Sequence, residues 1–240
     1  MKNKPQSVDK AIDGLVTALN NCCWSSQAAR SKGMLVLEIL KIGTEGEIDV
    51  VDFTSRVVEM IIRKMVPMAL YSAASLGNEK YAEALEAAAD RCKAEGTQSA
   101  VWAAYEVAKT AYDDINDTGY TKYARDFLAS FAECLTARLA KNMSFIAECH
   151  AYAAAANAAR TAECAAHLLG WLRCAKPENV GLTAYEIIRP VVDVVTYVST
   201  AERLFEALDD TAFIYFTDNV VEILLDMEIP VTKWLDQGGK

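Results

Sequence analysis

The chain has few of the residues that break or cross-link folds. Five prolines and eleven glycines in 240 residues are too few for a loop-rich or β-sheet protein. Two histidines, His150 and His167, leave little room for histidine-based catalysis or metal binding. No run of 18 apolar residues is free of charge, so no membrane span is expected. Basic excess is also missing. With 24 Lys and Arg against 33 Asp and Glu, the net charge is −9, which argues against nucleic acid as the main partner because phosphate binding needs a basic face. No glycine-rich phosphate loop and no nucleophile elbow occurs. The start, Met1 to Pro5, leads into a polar stretch with no apolar leader, and a cytoplasmic protein is expected.

What is present is alanine in helical context. Ten of the sixteen residues from Ala151 to Ala166 are alanine, and neither proline nor glycine interrupts before Gly170. Alanine is the best helix former, so Met143 to Cys174 is expected to be one long helix, about 48 Å at 1.5 Å per residue. A compact chain of this size has a radius of gyration of about 18 Å, so such a rod would cross nearly the whole molecule. Its polar residues, Glu148, Asn157, Arg160, Glu163 and Arg173, point in several directions. A helix without a broad polar face is a buried one, and this one is expected to be the centre of the bundle.

The other segments carry helix punctuation. Ser7 can cap a first helix with Val8, Ile12, Leu15 and Leu19, and a second follows Cys22–Trp24 as far as Gly43. Thr44 and Glu47 have capping-box spacing before Val50 to Ile62, where β-branched residues keep a strand reading open but the period favours a helix. Pro67 predicts a kink or restart. Helices are then expected over 68–76, 79–94 with Asn78 as cap, and 97–113. A loop at 114–119 and a helix from Thr121 to Lys141 follow, with a tight turn at Asn142. After the turn at 176–179, Thr183 and Glu186 suggest another capping box. Pro190 suggests a bend before Leu208, and a last helix opens near Asp209 to Thr211. The sum is an all-α protein, a bundle of about nine or ten helices in a single domain over 1–240, with 1–77 as a conceivable N-terminal subregion. The seven cysteines, an odd number, are expected to be reduced thiols used as small core residues.

Three groups of residues are candidates for chemistry. Asp113, Asp114 and Asp117 have the Asp-Asp-x-x-Asp spacing with which helical isoprenoid synthases chelate magnesium on a diphosphate; hard oxygen ligands suit that ion. The second acidic motif would have to be Asp209–Asp210, which lacks the accompanying pattern, and an Asx-rich loop after a helix end is the simpler reading. A calcium loop over 114–125 fails because Arg125 stands where a bidentate glutamate is required. Glu163 and His167, four residues apart, could be an acid–base pair or two metal ligands, but a polar contact in the core is the commoner outcome. Tyr105, Tyr112, Tyr120 and Tyr123 could line a small-molecule pocket. No cofactor and no metal site is assigned.

Asn78 to Ala89 (NEKYAEALEAAA), Ala100 to Tyr105 (AVWAAY) and Ala165 to Gly170 (AAHLLG) together resemble the alanine-rich immunity proteins associated with bacterial toxin systems and phage genomes. The resemblance covers about residues 78–175, and other histidines common in that family are missing. It implies an inhibitor that acts by binding and transfers no catalytic residue. The expected function is therefore a non-catalytic binding protein, an immunity or anti-defence factor that occludes a basic protein partner through an acidic helical surface. Two alternatives are a magnesium-dependent enzyme using Asp113, Asp114 and Asp117, and a small-molecule sequestering bundle. Amphipathic first and last helices also make a homodimer conceivable.

Overall fold

The computed structural model describes residues 49–129, 135–205 and 211–228. Among these the chain is all-helical. Helix α1 (Val50–Met60) passes through a π turn (Ile61–Met65) into α2 (Val66–Leu76), forming one continuous rod. Then come α3 (Glu79–Glu95), α4 (Gln98–Ala129) and α5 (Leu135–Leu172). A 3₁₀ turn (Pro177–Asn179) leads into α6 (Val180–Phe205), and α7 (Thr211–Asp226) follows. That makes six rods among the described residues, and the expected total of nine or ten helices is not reproduced. The expected helices of the first 48 residues, the Thr44–Glu47 capping box, Asp209–Asp210 and the tail after Pro230 lie outside the described residues.

Where local signals were strong, the chain follows them. Asn78 accepts the Lys80 amide at 2.9 Å and starts α3, and Gly96, at φ 64°, ends it. That left-handed conformation suits a residue without a Cβ. Asp49 caps α1 by accepting from the amides of Val51 and Asp52. The Thr97 hydroxyl accepts the Ala100 amide at the start of α4. Pro67 does not end the first rod. It has no N–H for the carbonyl four residues back, and the backbone widens into the π turn just before it, keeping the rod continuous. That junction is deep in the core, with Ile61, Met65, Val66, Ala69 and Leu70 fully buried.

Three sequence expectations are corrected. The loop at 114–119 is helix, because α4 runs from Gln98 to Ala129 without interruption. Gly119 inside a helix costs about 1 kcal/mol relative to alanine, too little to break a rod of 32 residues. The turn at Asn142 is also helix: α5 begins at Leu135, and the expected helix over 121–141 is divided between α4 and α5. Thr183 is not an N-cap. It lies in the first turn of α6, and its hydroxyl donates to the Asn179 carbonyl.

Helix α5 has 38 residues, about 57 Å of rod. It packs chiefly against α6 and α4, and also against α1 and α2. Ala151, Tyr152, Ala155, Ala158, Ala159, Ala162 and Ala165 are fully buried, and so are Ala100, Ala104, Ala108 and Ala111 of α4. These small side chains bring the two backbones close together. Contacts from Gln98 to Glu163 and from the Tyr81–Asp114 pair to Tyr152 show that α4 and α5 run antiparallel. The rod is not buried all round, as its lack of a polar face had suggested. His150, Asn157, Arg160, His167 and Trp171 are exposed, a stripe covering about 100° of the circumference. A narrow stripe is enough because the intervening alanines demand so little room.

No helix of the described residues is long and apolar enough to cross a membrane. Close backbone packing leaves no space for a larger side chain at Ala158, which is fully buried. Ala158→Leu is therefore expected to lower stability by about 1–3 kcal/mol. The same change at the exposed neighbour Asn157 should cost less than about 0.5 kcal/mol. Urea unfolding of both variants checks this.

Candidate functional site

The residues singled out by sequence are not brought together. Asp113 is exposed and forms an ion pair with Lys109, one turn earlier on α4. Asp114 faces α3, where its carboxylate accepts from Lys80 Nζ at 2.9 Å and from the Tyr81 hydroxyl at 2.8 Å. Those two partners hold its carboxyl below the usual range, Lys80 contributing most. Asp117 is on the same helix, and its side chain is outside the described residues. Successive residues on a helix diverge by about 100°, so Asp113 and Asp114 serve different neighbours. Among the described residues no three His, Cys, Asp or Glu side chains are grouped as a metal site.

Glu163 and His167 also separate. The Glu163 carboxylate accepts from Arg160 Nη1 and from Gln98 Nε2, both at 2.8 Å. His167 is exposed rather than in the core, and its Nε2 accepts from the Trp171 indole at 3.3 Å. Arg160 also lies over two rings, with its guanidinium carbon 5.2 Å from the Trp102 centroid and 5.6 Å from that of Tyr105. Trp102, 45% exposed, thus stacks with Arg160 on the seam of α4 and α5, while Trp171, 65% exposed, lies eleven residues further along α5. Tyr112 packs against the core, while the side chains of Tyr120 and Tyr123 are outside the described residues. Tyr105, like Tyr112, packs partly buried against the core.

Two features that sequence reasoning missed organise the surface around α3. The first is a run of acids. Glu79, Glu83, Glu86 and Asp90 are all exposed, and their spacing of four, three and four places them within about 60° of one another. Among the described residues Glu79, Glu83 and Glu86 form no salt bridge, while Asp90 accepts from the Tyr71 hydroxyl at 2.5 Å. Tyr71 is itself 37% exposed, and Leu76 lies nearby on the same hairpin at 36%. The spacing was visible in the sequence, but only burial identifies it as the outward face.

The second feature is Tyr152, the one large aromatic in the alanine run. It is fully buried, and its hydroxyl accepts the Asn78 amide at 2.7 Å, at the entry to α3. A Cβ on Gly77 would collide with the Tyr152 ring and hydroxyl, so glycine is required there. The Tyr81 ring meets Tyr152 edge-on with centroids 6.2 Å apart. Burial pushes the Tyr152 hydroxyl up to about 12, and it donates to Glu148 at 3.4 Å. Among the cysteines, Cys92, Cys149, Cys164 and Cys174 are free thiols. Burial pushes Cys92 up to about 12, so it is a core residue rather than a nucleophile.

Burial also raises the Glu148 carboxyl above its usual range, against the opposing pull of the Asn78 amide and the Tyr152 hydroxyl. A carboxyl whose folded pKa is raised favours the fold while protonated, and that contribution is lost as pH rises through the folded value. Glu148→Gln is therefore expected to raise the melting temperature at pH 7 relative to the parent chain. The difference should shrink toward pH 4, which parallel thermal melts can check. Comparison of the chain with protein-family models, with curated proteins and with solved structures gives no match.

Proposed function

We propose that this chain is a non-catalytic binding protein that occludes a basic protein partner through the acidic face of α3. The observation that carries the proposal is the stripe Glu79, Glu83, Glu86 and Asp90. Like charges three and four residues apart destabilise a helix by a few tenths of a kcal/mol per pair. None of the four acids forms a salt bridge among the described residues, so the stripe's mutual repulsion is not offset by an ion pair. A basic partner would supply the missing charges and would be steered toward the face from a distance. Tyr71, whose hydroxyl is fixed on Asp90, adds an aromatic of the kind that anchors protein interfaces.

The carboxylates that the sequence marked for chemistry support binding over catalysis where they are described. Asp113, Asp114 and Glu163 are each engaged by a cationic side chain and do not converge on a shared point. An inhibitor of a toxin or defence enzyme is the specific form we favour. It accords with the resemblance of residues 78–175 to immunity proteins, and an enzyme acting on nucleic acid would carry the basic surface that an acidic face complements.

The test is affinity capture from the native host followed by identification of the bound protein and measurement of its affinity. The double charge reversal Glu83→Lys with Glu86→Lys should weaken binding at least tenfold, mostly by slowing association. The parent complex should weaken as salt rises. Undiminished affinity in the reversed variant would refute the proposal.

A further inference from the structure

Helix α3 is held at both ends by side chains that belong to other helices. At its C-terminal end the last four carbonyls of a helix normally lack partners. Here the Cys92 carbonyl accepts the Gly96 amide at 3.0 Å. Arg63, from the π turn, covers the other three. Its Nη1 is 2.9 Å from the Lys93 carbonyl and 2.6 Å from that of Ala94, and its Nη2 is 3.1 Å from that of Glu95. Glu59 anchors the same guanidinium through Nε at 2.8 Å. A Cβ at Gly96 would run into that guanidinium. A cation at this position also complements the helix dipole.

The N-terminal end is fixed as firmly. Asn78 caps the first turn with its side chain, and its own amide is taken by the buried Tyr152 hydroxyl at 2.7 Å. Lys80 and Tyr81 then tie the first turn to Asp114 of α4. Between the ends, α3 rests on α2 and α4 through Leu85, Ala88, Ala89 and Cys92.

We propose that Arg63 and Tyr152 are positioning residues that lock α3 at its two ends, so that its acidic face meets a basic partner already formed. This inference rests on the docking reading given above. Without either lock the end turns fray, and the partner must order them on binding. Ordering weakens the complex after encounter, so it is read in dissociation. Association is set by the stripe's charge, which neither lock contributes.

Two substitutions that leave the net charge unchanged separate these effects. Arg63→Lys keeps the cation but loses the fork that spans three carbonyls, and Tyr152→Phe keeps the ring but loses the hydroxyl. Hydrogen exchange is measured on the full chain. Amides in the last turn of α3 should exchange about tenfold faster in Arg63→Lys, and those of the first turn about tenfold faster in Tyr152→Phe. Residues 151–165 should be unchanged in Arg63→Lys. The binding probe is a synthetic lysine–leucine amphipathic helical peptide, followed by stopped-flow fluorescence. Each variant should release it at least threefold faster with association within twofold of the parent, whereas Glu83→Lys with Glu86→Lys should slow association. Unchanged exchange in both variants overturns the locks. Faster exchange with unchanged release overturns the positioning role while leaving the docking reading intact. If the parent chain does not bind the peptide, or the charge reversal has no effect, the docking reading fails and the positioning role with it.

Discussion

Close approach of helices through alanine is the constraint on which the remaining architecture depends. Along Ala151 to Ala165 the side chains of α5 facing its neighbours are almost all one carbon long, and those of α4 from Ala100 to Ala111 match them. Each alanine buries little area, so the hydrophobic contribution per residue is small. The gain comes from dispersion between backbones brought close together and from the low entropic cost of ordering a side chain with no rotamers. Bulky residues are concentrated elsewhere, in Ile61 to Leu70 and in Ile187 to Val198. The rod of small residues thus serves as a template, and the larger side chains of the first rod and α6 fill what remains around it.

Tyr152 is the exception within that template, and much of the surface follows from it. A large ring in an alanine seam requires a gap opposite, which Gly77 supplies at the α2–α3 turn. Its hydroxyl requires a partner, which the Asn78 amide supplies. One buried side chain on α5 thereby fixes where the outer hairpin turns and where α3 begins. The acidic stripe of α3 faces outward because Leu85, Ala88, Ala89 and Cys92, three and four residues apart, claim the inward side. Core packing and surface charge are linked through a single helix register.

Most of the helical content was legible in the sequence, and so were features determined within a few residues. The Asn78 cap and the Gly96 stop are local, since each depends on the side chain or backbone freedom of one residue. The helical character of Val50 to Met60 was also readable, because its apolar period outweighed its β-branched composition. The breaks at 114–119 and at Asn142 were misread because polar residues and a glycine were taken as loop signals. In a long helix already secured by packing, such residues cost too little to interrupt it. Pro67 was read as a kink or restart, whereas the helix runs on through it, and the π turn that absorbs it could not be foreseen. The contacts that shape the candidate surface were beyond reach for a different reason. Arg63 reaches carbonyls thirty residues away and Tyr152 an amide seventy-four residues away, and no spacing rule connects residues at such separations. His167 was misplaced because its neighbours suggested burial, while its helix face points outward beside Trp171.

Native-state hydrogen exchange of α5 across a urea series tests the central claim most directly. If the alanine seam is the enclosed template of the fold, amides from Ala151 to Ala165 should exchange only through global unfolding. Their opening free energies should equal the unfolding free energy, with the same denaturant slope. Exchange of these amides by local opening, at free energies close to those of the helix ends, would contradict the account.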